Sequence, residues 1–271
     1  MERKENMKLG VIGAGNIAGA IVNGVINAGV IAPGDILVSD IRDSSLARLR
    51  ELGVNTTLSN TEAAAAGDIV LLAIKPNIAG EVLEEIAPVV QGKLLVSVVA
   101  GYTRKNISEI VGENVGVVRT MPNVPAMVGE AMTVLCRTKN VSDGDFDQVL
   151  KIFDAIGRTT VLEEYLFDAA TATNGSGPGY VFVMIEAMAD AAVLQGIPRD
   201  IAYLLVEQTI LGSAKLALET REHPGKLKDM ICSPGGTTIE AIYRLEEKGL
   251  RATMIDAVAA CAQKSAQLGR K

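Results

Sequence analysis

The run Ser233-Pro234-Gly235-Gly236-Thr237-Thr238 puts two glycines and three hydroxyls at the mouth of a helix-forming segment. Ile239, Ile242 and Leu245 follow at helical spacing, Glu246, Glu247 and Lys248 fall on the wet side, and Gly249 stops the pattern. Amides in the first turn of a helix have no partners within it, and the positive end of the helix dipole lies there. Glycines let a ligand touch the backbone itself. The composition suits a cradle for a carboxylate or a phosphate, although an ordinary capped helix after a Pro-Gly turn has the same local signature.

A second anion-binding pattern stands near the amino end. Gly10-Val11-Ile12-Gly13-Ala14-Gly15-Asn16-Ile17-Ala18 follows a first apolar strand and leads into an apolar helix, the G-x-G-x-x-A form of the dinucleotide fingerprint. Gly13 makes the turn, Gly15 admits the pyrophosphate to the backbone, small Ala18 allows close packing, and Ala14, Asn16 and Ile17 complete the loop. The next strand ends at Ser39-Asp40, where an acid bonds the adenine ribose hydroxyls and leans toward NADH. Arg42 could instead face the 2′-phosphate of NADPH, which leaves the preference open.

Three further strand ends carry polar or turn residues: Ala73-Ile74-Lys75-Pro76-Asn77, Val99-Ala100-Gly101 and Thr120-Met121-Pro122-Asn123. In an open α/β sheet, ligands bind beyond the carboxyl ends of the strands. Ala73, Lys75, Pro76, Ala100, Gly101, Pro122 and Asn123 are therefore expected around the nicotinamide, with Lys75 offering a charge.

The elements that must position these residues are marked by punctuation. From Lys8 to about Val161, apolar runs (Leu9 to Ile12, Ile36 to Ser39, Ile69 to Ile74, Leu94 to Val99, Val115 to Val118, Thr133 to Cys136) alternate with helical patterns. Such βα alternation predicts an amino-terminal, doubly wound, mostly parallel sheet of the Rossmann type over residues 1–165. From Leu166 to Leu268 only helical periodicity remains, which predicts an all-helical domain over 166–271. Its helices, notably Ala187 to Leu194 and Ile201 to Leu218, are rich in Ala and Leu with few charges. They read either as buried helices of a larger core or, as we favour, as surfaces covered by a second subunit.

Composition removes several classes. A chain of 271 residues, 48% hydrophobic, has ample apolar content for a globular core. A net charge of -6 argues against a nucleic-acid partner. The apolar runs are short and the first eight residues are charged, so a cytoplasmic protein without a membrane span is expected. Cys136, Cys232 and Cys261 form no CxxC pair, and His223, the single histidine, precedes Pro224 as a loop residue. Neither a disulfide framework, a metal site nor a histidine-based triad is expected.

With these motifs in place, the chain resembles the pyrroline-5-carboxylate reductases over nearly its whole length. The resemblance rests on Gly13 to Ala18, Ala73-Ile74-Lys75-Pro76, Arg119 to Pro125, Gly175-Ser176-Gly177-Pro178-Gly179-Tyr180, and His223 to Asp229 leading into Ser233 to Thr238. It implies NADPH or NADH as cofactor and 1-pyrroline-5-carboxylate as substrate. It also implies a helical domain that intertwines in a homodimer, with decamers in some members, and an active site between the nicotinamide and the partner's helical domain. The amides of Gly235, Gly236 and Thr237 would hold the substrate carboxylate, the Thr238 hydroxyl would bond the ring nitrogen as the catalytic group, and Ser233 would support the pocket. Arg221, Met230, Gly179 and Asp40 depart from the usual pattern of the family. A reductase of a related cyclic imine and a non-catalytic dinucleotide-binding protein are the competing readings. A cyclic imine can be protonated near neutral pH, so hydride addition needs no strong acid, in keeping with a chain nearly without histidine.

Overall fold

The computed structural model describes residues 7–268. The amino-terminal part runs β1 (Leu9–Ile12), α1 (Asn16–Asn27), β2 (Ile36–Ser39), α2 (Asp43–Arg50), β3 (Asn55–Thr57), α3 (Asn60–Ala66), β4 (Ile69–Leu72), α4 (Ala79–Ile86), β5 (Leu94–Ser97), α5 (Arg104–Val111), β6 (Gly116–Met121), β7 (Ala131–Arg137), α6 (Asp143–Asp154) and β8 (Gly157–Val161). The strands form one sheet in the order β3-β2-β1-β4-β5-β6-β7-β8, parallel throughout except for the antiparallel β6-β7 pair. The reversal of strand order between β1 and β4 is the Rossmann switch point, where a crevice opens beyond the strand ends.

Side chains alternate across this sheet with period two. Leu9, Val11, Ile69, Leu71, Leu94 and Val96 face α1, α2 and α6, where Ile21, Val22, Leu46 and Phe153 are fully buried. Ile12, Val70, Leu72 and Leu95 face α4 and α5, packing with Leu83, Ile86 and Ile107. Each such side chain contributes roughly 1.5–3 kcal/mol on burial, so both faces hold the strand ends in register.

Several strand limits differ from the sequence pattern. The ladders of β4 and β5 stop at Leu72 and Ser97, because the following residues leave for a 3-10 turn at Pro76 and a left-handed turn at Gly101. Strands β6 and β7 run longer than their apolar runs. Short β3 and β8 carry no apolar run; they are the two edges of the sheet, where burial selects side chains least.

After the sheet come α7 (Phe167–Ala170), a π-helical turn (Thr171–Gly175), α8 (Gly177–Leu194), α9 (Arg199–Thr220), α10 (Pro224–Ile231), α11 (Thr237–Glu247) and α12 (Leu250–Leu268). Packing divides the chain later than the change of periodicity near residue 165: the chain through Ser176, joined by the segment from Cys261, forms one compact unit and Gly177–Ala260 the other. The cause is local. Phe167 and Ala170 pack with Val134 and Cys136 of β7, while Ser265 and Cys261 hydrogen-bond Asp168 and Ser176.

In the second unit, α8 and α9 meet through Ala189, Ala202 and Val206. Large apolar side chains remain exposed on both, among them Phe182, Val183, Leu204, Leu205, Leu211 and Leu216. By length and composition Glu164–Leu194 and Arg199–Thr220 are each apolar enough to cross a membrane, although Glu186, Asp190 and Glu207 interrupt them. His223 is the N-cap of α10, its Nδ1 accepting the Gly225 amide at 3.0 Å. The three cysteines carry free thiols, and burial pushes that of Cys136 up to about 12.

Candidate active site

The phosphate loop is built by β1, β2 and β4 together. Gly13 takes φ +99°, its amide donates to the Ser39 carbonyl at 2.8 Å, and a Cβ there would lie 2.4 Å from the Ala73 carbonyl oxygen. Only glycine fits such a turn without strain. Ala14 donates its amide to Asp40 Oδ2 at 3.0 Å, so the loop is tied at two successive residues. Gly15 is the N-cap of α1 with no side-chain cap, and nothing lies within 4 Å of where its Cβ would be. The amides of Asn16, Ile17 and Ala18 have no acceptor among the described residues. Open space over Gly15 and three orphan donors at a helix N-terminus fit a pyrophosphate.

Ser39 and Asp40 are more occupied than a reading by position implies. Ser39 is fully buried, and its hydroxyl donates to Asn60 Oδ1 at 2.9 Å, so it serves the loop through its backbone carbonyl. Asp40 Oδ1 accepts the Arg42 amide at 2.9 Å, and the exposed Arg42 guanidinium lies 3.7 Å away. A carboxylate is thus fixed beside the loop with a mobile-stemmed cation next to it.

The remaining expected residues lie at the carboxyl ends of adjacent strands: Ala73, exposed Lys75 and Pro76 after β4, Ala100 and Gly101 (φ +81°) after β5, and buried Pro122 with Asn123 after β6. Lys75 makes no ion pair with a described residue. The Asn123 side chain, by contrast, is engaged at both ends, Nδ2 donating to the Asn174 carbonyl and Oδ1 accepting the Met132 amide.

A half-buried ion cluster stands behind the β5 loop, with Arg119 its one buried member. Glu164 Oε1 accepts the Arg104 amide at 2.7 Å and Arg119 Nη1 at 3.2 Å, Oε2 accepts Arg104 Nε at 3.1 Å, and Arg119 stacks over Phe167. Burial alone would raise the Glu164 carboxyl, but the Arg104 and Arg119 hydrogen bonds outweigh it and hold it below the usual carboxylate range. Arg119, Glu164 and Phe167 border a cavity of about 370 Å³ that Gly101 and Thr103 also line. No sequence spacing announces this cluster, because its members come from α5, β6 and the turn before α7.

The cradle belongs to the second unit. Gly235 takes φ +68°, Gly236 caps α11 without a side-chain partner, and the Gly236 amide donates to the Ser233 carbonyl at 3.0 Å. That bond alters the expected donor set. The Gly236 amide closes its own turn, and the amides left without an acceptor among the described residues are those of Gly235, Thr237, Thr238 and Ile239. A Cβ on Gly236 would lie 2.3 Å from Ser233 Oγ, which explains the glycine and ties Ser233 to the cradle's shape. Thr238 is half-buried in the first turn of α11.

The fold and its phosphate loop define an NAD(P)H-dependent oxidoreductase. Residues 8–101 match the family model for the coenzyme F420-dependent NADP oxidoreductases, and residues 164–268 match the model for pyrroline-5-carboxylate reductase dimerisation. The chain is 44% identical to the pyrroline-5-carboxylate reductase of Escherichia coli (strain K12) over 265 residues, covering 97% of this chain and 98% of that one. Among solved structures it is similar to a pyrroline-5-carboxylate reductase from Coxiella burnetii (TM-score 0.92, 34% identity, 97% and 99% covered). It is also similar to the Plasmodium falciparum pyrroline carboxylate reductase solved with NADP bound (TM-score 0.88, 36% identity, 98% and 99% covered). This chain belongs to the pyrroline-5-carboxylate reductase family.

Proposed function

We propose that the protein reduces 1-pyrroline-5-carboxylate to L-proline, the last step of proline biosynthesis, as a cytoplasmic homodimer. The observation that carries this reading is the α11 cradle, with its unbonded first-turn amides behind a Ser-Pro-Gly-Gly turn. A dinucleotide's phosphates already have Gly13 to Ala18, so the anion left for the cradle is the substrate carboxylate. The amides of Gly235, Thr237 and Thr238 hold it, and Ser233 keeps the turn in shape through the Gly236 bond.

The Thr238 hydroxyl oxygen accepts the N–H of the protonated imine and so favours the iminium form. When bound, NAD(P)H supplies the hydride. Addition at the iminium carbon leaves a neutral ring amine, and no side chain has to deliver a proton during transfer. Orientation therefore does most of the work, and holding two reactants in place can supply on the order of 7 kcal/mol. Asp40 beside the phosphate loop supports a preference for a free ribose diol, hence NADH, while Arg42 keeps NADPH usable.

Dimerisation covers the exposed apolar faces of α8 and α9. Exposed faces of that size mark an interface in a soluble protein. Sedimentation checks this, and a monodisperse monomer at micromolar concentration would overturn it. The activity is checked by mixing the protein with 1-pyrroline-5-carboxylate and following nicotinamide absorbance with NADH and NADPH separately. No oxidation of either by folded protein removes the reading.

A further inference from the structure

We infer that Asn174 is a positioning residue that sets the β6 edge of the nicotinamide site. The inference rests on the proposed placing of Pro122 and Asn123 beside the nicotinamide. Asn174 lies in the π-helical turn Thr171–Gly175, closed by the Ser176 amide on the Thr171 carbonyl at 2.8 Å. Its Nδ2 donates to the Met121 carbonyl at 3.0 Å and to the Met132 carbonyl at 2.9 Å. Its own carbonyl accepts Asn123 Nδ2 at 3.0 Å, and Asn123 Oδ1 accepts the Met132 amide at 2.9 Å.

These four bonds close a ring across the base of the loop between β6 and β7. Met121 ends β6 and Met132 lies near the start of β7, so one amide group ties both mouths of the loop while the other occupies the residue after Pro122. Two donors to two carbonyls also fix the orientation of the Asn174 amide, since the reversed amide would set oxygen against oxygen. Gly175 makes room, for a Cβ there would meet the Met121 side chain at 3.0 Å.

Asn174 Oδ1 is buried and has no hydrogen-bond partner among the described residues. Leaving such an acceptor unpaired is unfavourable. A π-turn is itself an uncommon conformation that concentrates at functional sites. The two features coincide on the one residue that locks the end of β6, and sub-ångström placement of a reacting ring is where such a lock acts.

The test uses the full-length protein, with Asn174→Ala, Asn174→Ser and Asn123→Ala, and Thr133→Val as the control. Thr133 is buried on β7, its hydroxyl has no partner among the described residues, and it takes no part in the ring. NAD(P)H affinity is read by nicotinamide fluorescence, and kcat, KM and the primary deuterium effect with 4-deuterated cofactor by steady-state kinetics. The expected result for Asn174→Ala is kcat lower by about 10- to 100-fold, the scale of an ångström's misplacement. The deuterium effect on kcat rises, cofactor affinity weakens severalfold, and KM for the imine stays within about twofold. Asn123→Ala behaves alike, and the double variant is little worse than either, as expected of coupled residues. Thr133→Val changes none of these. Unchanged cofactor affinity and deuterium effect in folded Asn174→Ala overturn the inference, and Asn174→Ser answers in its place if the alanine variant does not fold. A wild type that binds NAD(P)H but never turns over defeats the proposed function instead, and the fluorescence titration still decides for or against Asn174.

Discussion

Two glycine-capped helix starts, Gly15 at α1 and Gly236 at α11, share one local device and differ in what stands behind it. Both lack a side-chain cap and leave first-turn amides without partners among the described residues. Behind the first, Ala18, Ile21, Val22 and Val25 are buried against the sheet, and Asp40 and Ser39 tie the loop. Behind the second, no residue of α11 is buried within the chain, and Ile239, Tyr243 and Leu245 are exposed. The phosphate loop is therefore held by its own domain, whereas the cradle holds its shape through the Ser233–Gly236 turn and leaves its apolar stripe exposed. A dinucleotide and a carboxylate can be met by the same orphan amides, and the supports decide how firmly.

The largest expected effect breaks the second start alone. Gly236→Val drives a side chain into Ser233 and fills the cradle, so kcat/KM for the imine should fall by about 10²- to 10³-fold, the usual loss when oriented donors are removed. Nicotinamide fluorescence should show cofactor affinity unchanged; a joint loss would mean that the two starts are not separate in role. Gly13→Ala is the converse. A methyl at φ +99°, against the Ala73 carbonyl, should cost about 1–3 kcal/mol, read as weaker nucleotide binding and a lower Tm.

Thr238→Ala should lower kcat about tenfold, the loss of one hydrogen bond to a charged group of about 1.5 kcal/mol, with cofactor affinity intact. Full activity in that variant would end the nitrogen-bonding role. Asp40→Ser should shift the NADH to NADPH ratio of kcat/KM about tenfold toward NADPH, the scale of one repulsive charge pair largely screened by water. No shift would mean that Asp40 serves only the Ala14 amide.

The smallest effect concerns the ion cluster that only the sheet-bearing unit possesses. Because the folded Glu164 carboxyl lies below its ordinary value of 4.5, its contribution to stability is present above that pH and fades as pH falls through the folded value. Melting curves of wild type should thus steepen their decline on acidification below about pH 4.5, and Glu164→Gln should flatten that dependence. The ion pairs around the cradle, such as Lys226–Glu222 and Arg244–Glu240, are exposed and should contribute little to either curve.

Legibility followed burial. The six strands with apolar runs were readable because a strand covered on both faces needs an unbroken apolar run, while β3 and β8 escaped because edges impose no such pattern. Gly13 and Gly235 were readable because a positive φ selects glycine, and Gly15 because it stands in the dinucleotide fingerprint, where open space rather than backbone strain asks for it. Ser39 and Asn123 were placed at the right strand ends, but their side chains turned out to be engaged within the protein. Asn174 and Glu164 were invisible in advance, since each acts on residues some fifty positions away in sequence.

The amino-acid sequence by itself determined the two-part architecture, the phosphate loop, the cradle and the family, because period, glycine placement and motif order are local properties of the chain. Only the tertiary structure decided which amides of the cradle lack an acceptor among the described residues, that Asp40 is tied to the loop, that Asn174 joins the end of β6 to the start of β7, and that Glu164 joins α5 to β6. A hydrogen bond joins groups by distance in space, and no spacing along the chain records which carbonyl a donor will meet.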